Sequence, residues 1–207
     1  MCRLCLVIIF GFLLCEAFAQ KQFCGELDYQ VEYLDLPSDM EGMSSILPNK
    51  CHIITDGKNW RLDQNTSING AFIEIYHHRK DSLYQFLTVA EERVRIEKKV
   101  EFGVEDLRCL SSTGESTISG ISVQKRSISG SEIYAQEMWV SKEFQGIPAL
   151  FIPGLDALPI QFEVKRQGVH MRYTLVRLTQ QPLDDTYFTL PTNYKPISEK
   201  VYQSWLR

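Results

Sequence analysis

The stretch GELDYQVEYLDL (residues 25–36) alternates without interruption, with Leu27, Tyr29, Val31 and Tyr33 on one parity and Glu26, Asp28, Gln30 and Glu32 on the other. Successive side chains of an extended chain point to opposite faces, so this is a strand with one dry face and one wet face. A strand of this kind needs antiparallel partners and something apolar to lie against.

Those partners follow along the chain. CHIITD (51–56) and NWRLDQ (59–64) flank Asp56-Gly57-Lys58, and an Asp-Gly pair between two apolar runs is a hairpin signal. AFIEIYHH (71–78) and SLYQFLTV (82–89) carry apolar residues on both parities, as strands covered on both sides do. RVRIEKKVEF (93–102) alternates again, Val94 and Ile96 against Arg93, Arg95 and Glu97, although its charge content also admits a helix. TISGISVQKRSIS (117–129), SEIYAQEMWVS (131–141), LPIQFEVKRQ (158–167) and VHMRYTLVRLTQ (169–180) are rich in β-branched and aromatic residues, with Gly130-Ser131 and Gln167-Gly168 as turns. In FIPGLDALPIQFEV (151–164), Pro153-Gly154 and Pro159 should shape a lip, after which Ile160, Phe162 and Val164 face the interior. Helical signal is scarce: one turn within SKEFQGIPALF (141–151), before Pro148, and a terminal piece in EKVYQSWLR (199–207). The pattern predicts a mainly β protein with little helix. Its sheet is a single curved antiparallel one or an incomplete barrel, forming one domain over residues 20–198 with a C-terminal tail over 199–207.

Composition sets the compartment. The first 19 residues have a cationic Arg3, an apolar run from Leu6 to Leu14 and Ala17-Phe18-Ala19, the pattern of a cleaved signal peptide. Leu14 before Cys15 argues against lipidation there, and no later stretch is apolar enough for a membrane span. Cleavage leaves Cys24, Cys51 and Cys109, which permits one disulfide and one spare thiol. The net charge of −4, without a basic stripe, argues against nucleic acid as a partner.

Catalytic motifs fail on context. Ser122-Val-Gln-Lys125 has the spacing of a Ser-x-x-Lys pair, but in a strand those two side chains point apart. Beyond the leader there is no Gly-x-Ser-x-Gly, Cys-x-x-Cys, His-Glu-x-x-His or phosphate-binding glycine loop. A metal-dependent hydrolase would have to use His77 and His78, or Glu74 and His78 on one face with a third ligand from His52 or His170. Histidines at a strand end account for the same residues without any metal. Asn65-Thr66-Ser67 is a glycosylation sequon that matters only in a eukaryotic secretory pathway. The more suggestive feature is aromatic: Tyr76, Phe86, Trp139, Phe162 and Tyr173 fall in separate strands. Projecting together to a concave face, they would form either a core or a pocket for an apolar ligand.

Four segments in order resemble an uncharacterised family of secreted bacterial proteins: STGESTISGISVQK (112–125), AQEMWVSKEF (135–144), PGLDALPIQFEV (153–164) and the run from Pro182 to Ile197, which closes in TYFTLPTNYKPI (186–197). That family is related to the GLPGLI proteins and, more distantly, to periplasmic lipoprotein carriers. The resemblance implies an open half-barrel in the periplasm or at the outer membrane, with no catalytic residue to carry over. Gly120, Trp139, Pro191 and Tyr194 match its motifs and look structural, the last two where the chain end seals a sheet edge. The expected function is that of an exported, non-enzymatic protein without a cofactor that holds a lipid or lipoprotein acyl chain on its concave face. The alternative is an interaction module binding a protein partner in an envelope assembly, for which a filled interior is expected.

Overall fold

The alternation of residues 25–36 becomes β1 (Gly25–Asp35), in which Leu27 and Tyr29 are fully buried. β1 lies mid-sheet, paired with β2 (Lys50–Thr55) on one side and β11 (Val169–Gln180) on the other, both antiparallel. In this computed structural model the described residues are 20–205, apart from 67–69, 90, 101–107, 130–136, 149, 153–154 and 167. The expected signal peptide, the Gly130-Ser131 turn and the Pro153-Gly154 part of the lip therefore lie outside the described residues.

The remaining strands are β3 (Trp60–Thr66), β4 (Gly70–His77), β5 (Ser82–Val89), β6 (Glu92–Lys99), β7 (Arg108–Ile118), β8 (Ile121–Ser129), β9 (Glu137–Gln145), β10 (Ala157–Arg166) and β12 (Lys195–Ile197). All twelve form one sheet in the order β12-β6-β5-β4-β3-β2-β1-β11-β10-β9-β8-β7, and one helix, α1 (Glu199–Trp205), follows. Local chemistry fixes the hairpins. The Asp56 carboxylate accepts from the backbone N–H of Lys58 and Asn59, and Gly57 takes a positive φ at the β2–β3 corner. Ser119 and Gly120 both have positive φ, the two-residue turn whose twist suits paired strands.

Three expectations are corrected. TISGISVQKRSIS is not one strand but the turn and flanks of the β7–β8 hairpin. The predicted helical turn before Pro148 is instead the end of β9, which runs on to Gln145. The sheet also contains one parallel pair, β12 with β6, because the chain returns from β11 across the outside of the sheet before it reaches that edge.

The sheet is strongly curved. Seven inter-strand steps separate β6 from β10 in the sheet order, which in a flat sheet would be about 34 Å at ~4.8 Å each. Side chains of β6 and β10 nevertheless line one cavity. Between β9 and β10 the chain turns into the concave face, and Ile147, Leu150, Ile152 and Leu155 are buried there. The loop is pinched at its base, where the Gly146 N–H donates to the carbonyl of Asp156. It is also tied by a bond from Trp60 Nε1 to the carbonyl of Pro148 (2.8 Å), and the Tyr29 hydroxyl donates to the carbonyl of Pro159 in β10 (2.7 Å).

The convex face of β4 and β5 is covered too. Ile75, Tyr84 and Phe86 pack under Phe188, with Leu183, Leu190 and Tyr194 around them. This explains the apolar residues on both parities of these strands: residues 181–194 are the second cover. Elsewhere the convex face is ionic. His52 Nδ1 lies 2.6 Å from Asp28 Oδ1, Arg177 Nε donates to Asp28, and Glu163 is bonded by Arg172 and lies 2.9 Å from His170 Nε2.

Two predictions follow from this arrangement. Gly25 has φ +146°, and a Cβ there would lie 2.0 Å from the carbonyl oxygen of Thr179. Gly25→Ala should therefore cost at least about 2 kcal/mol of unfolding free energy in urea titrations. Burial, the largest influence, pushes the Asp28 and Glu163 carboxyls up, but His52 and Arg177 on one and Arg172 and His170 on the other outweigh it and hold both low. Such groups stabilise the fold above the unfolded carboxylate value of about 4 and lose that contribution as pH falls through the folded value. Stability should decline in acid, and Asp28→Asn should flatten the decline measured by chemical unfolding across pH 2–6.

Candidate functional site

The inward loop fills only part of the concave face. Beside it lies an open cavity of about 500 Å³ between β3 to β6 on one arm and β10 and β11 on the other, with α1 at its mouth. Its walls include Leu62, Phe72, Leu83, Leu87, Phe151, Val164, Met171 and Tyr173, and Trp60 and Leu150 also reach it. Phe72, Leu83, Leu87, Val164 and Met171 are only half-buried, while Leu27, Ile53 and Ile160 on the same face are fully buried.

The register explains how the polar groups enter. Gln64, Glu74, Gln85 and Lys98 fall on the inward parity of β3, β4, β5 and β6. Direct pairing places Glu74 between Leu62 and Gln85. Gln85 Nε2 donates to Glu74 Oε1 at 2.6 Å, the sole hydrogen bond of that carboxyl among the described residues. Burial pushes the Glu74 pKa up, against the pull of Gln85, Lys98 and Arg166. No ion pair reaches Glu74 among the described residues; Lys98 is instead paired with Glu199 on α1 at 2.9 Å. Arg166 is exposed at the rim.

The five aromatic residues singled out in the sequence do not converge. Tyr173 lines the cavity, and Phe162 stacks behind it with ring centroids 5.1 Å apart. Tyr76 points inward but is fully buried, stacked on Trp60 and donating to Asp81. Phe86 faces the other way, under Tyr194 and the convex cover. Trp139 is half-buried at the margin of the main core, on the parity opposite the buried Met138 and Val140; it pairs directly with Lys125 and Gln161, and the Lys125 ammonium lies over its ring. Period two fixes which residues share a face within a strand; with apolar residues on both parities it does not say which face is concave. Glu74 was legible as an acid in phase with Phe72 and Tyr76, and only the fold shows that this phase faces a cavity.

The histidines are dispersed. His77 Nε2 lies 2.9 Å from the carbonyl of Phe188, the His78 ring meets Tyr76, and His52 and His170 sit beside the convex carboxylates Asp28 and Glu163. Among the described residues, no three His, Cys, Asp or Glu side chains are grouped to hold a metal ion. Cys24 and Cys51 are free thiols, so the pairing of these two that the sequence permits is not made, and the side chain of Cys109 lies outside what is described. Among the described residues, no helix is long and apolar enough to cross a membrane.

No family model and no curated protein matches the chain. Its fold is similar to part of PNGF-II, seen in two crystal forms. The TM-score is 0.52 for each, with identities of 16% and 14%, covering 87% of this chain and 32% of that one. The chain thus spans about a third of PNGF-II, and at these identities the likeness is one of fold. LprF from Mycobacterium bovis aligns with a TM-score of 0.33 at 11% identity, over 77% of this chain and 89% of that chain.

The buried Cys51 thiol lies on the inward face of β2 and is pushed far above the usual thiol range by burial, with Glu74 adding to the shift. A thiolate is the form that alkylates. Iodoacetamide at pH 8 should leave Cys51 unmodified in the native protein and label it after unfolding, as read by peptide mass mapping.

Proposed function

We propose that this protein is an exported, non-enzymatic binding protein that holds an apolar chain, an acyl chain or a lipoprotein anchor, in the cleft of its half-barrel. The observation that carries the reading is the cavity of about 500 Å³ on the concave face, where half-buried Phe72, Leu83, Leu87, Val164 and Met171 line the wall beside the polar Gln64, Glu74, Gln85 and Lys98. That volume suits a small-molecule ligand, since pockets of about 300–1,000 Å³ are typical. Covering those side chains would contribute about 0.8 kcal/mol per buried methylene of the ligand, offset by the cost of ordering it.

The leader-like first 19 residues support export to a periplasmic or secreted location. An interaction module in an envelope assembly is the weaker reading, because it is expected to have a filled interior.

Native mass spectrometry of protein purified from its own secretory compartment should show a bound lipid, and a fluorescent fatty acid should be displaced by unlabelled chains. Val164→Trp, which fills the cavity from β10, should weaken that probe by about tenfold or more and leave the thermal midpoint within a few degrees. Absence of both lipid and displacement would remove the carrier reading.

A further inference from the structure

The cavity that holds the apolar chain in this reading is not uniformly apolar, and its polar groups are not equivalent. Lys98 at the mouth is already neutralised by Glu199, and Arg166 is exposed at the rim, where water screens it. Glu74 is different. It sits mid-strand on the inward face, flanked in the register by Leu62 and Gln85, with Phe72 and Tyr76 two residues away on the same face. Gln85 gives it one hydrogen bond and no positive side chain lies in contact. A carboxyl in such a place is costly to leave without a countercharge, and an interaction inside the cavity outweighs one at the wet rim.

Resting on the apolar-ligand reading above, we infer that the occupant is a cationic amphiphile, an alkylammonium compound whose nitrogen docks at Glu74 and whose chain lies along Phe72, Leu83, Leu87 and Val164. Phe72 and Tyr173 line the same cavity, and aromatic surface beside a carboxyl suits an organic cation. Burial pushes the Glu74 carboxyl up against the pull of Gln85, Lys98 and Arg166, and an ammonium in direct contact would favour its charged form. An anionic amphiphile would instead put its head at Arg166, leaving Glu74 facing an apolar chain.

The test compares three probes of equal chain length, decyltrimethylammonium, decanol and decanoate, by calorimetry at pH 7.5 below their micelle concentrations, on the wild type and on Glu74→Gln. The ammonium should bind about tenfold or more tightly than decanol. Glu74→Gln should erase that difference while leaving decanol affinity within about twofold. Equal binding of ammonium and alcohol, tighter binding of decanoate, or an ammonium preference that survives Glu74→Gln would overturn the inference and leave the apolar-ligand reading standing. Failure of all three probes on the wild type would overturn both. Should Glu74→Gln not fold, the order of the three probes on the wild type decides the question alone.

Discussion

A sheet bent far enough to bring β6 over β10 leaves a concave face that has to be filled, and the inward turn between β9 and β10 is what fills most of it. Phe151 is the wedge: its ring packs 5.2 Å from Tyr29, 4.9 Å from Phe162 and 5.5 Å from Tyr173, so one side chain touches three strands. It is held there with φ +54°, a conformation costing about 1–2 kcal/mol for a residue with a Cβ. Phe151 is only half-buried, but its three ring pairs, at about 0.5–1.5 kcal/mol each, are enough to offset that strain. Gly146 makes the turn sterically feasible, since a Cβ there would fall 2.0 Å from the carbonyl oxygen of Leu155.

Because the wedge is finite, it defines the cavity by where it stops. Beyond Phe151 the concave face is lined but not filled, and in that gap the sequence places Glu74 rather than another leucine. A carboxyl bonded to a single glutamine is a poor way to stabilise a sheet; an apolar residue of similar size would pack against Leu62 and Phe72 without desolvation cost. The fold tolerates Glu74, then, but gains little from it. The same face a few strands away, with Leu27, Ile53, Ile160 and Leu175, shows what the chain does where only stability is at stake.

Much of this was legible in the residues. The alternation over 25–36 predicted β1 and the face it buries, the Asp-Gly pair predicted the β2–β3 corner, and the inward set Ile160, Phe162 and Val164 lies where its parity put it. What was not legible depends on contacts distant in sequence. Phe86 looked like a concave residue because nothing in SLYQFLTV reveals that residues 181–194 will lie across its other side. Trp139 falls on the parity opposite the buried Met138 and Val140, and β9 meets β10 with register shifts on either side of Pro159, slips that local composition does not reveal. The β7–β8 turn was hidden because Ser119-Gly120 sits inside a run of β-branched residues that reads as one strand.

An open sheet also has two borders, and a protein with unsealed borders is a template for its own polymerisation. At one border the chain lays its own β12 along β6, and the bond between Lys98 and Glu199 tacks the following helix over the same strand. At the other, the pairing of β7 with β8 slips between Ser111 and Glu115, so the outermost strand is kinked instead of straight. A half-barrel built this way can keep its cleft open to small molecules while offering no long flat rim to another copy of itself.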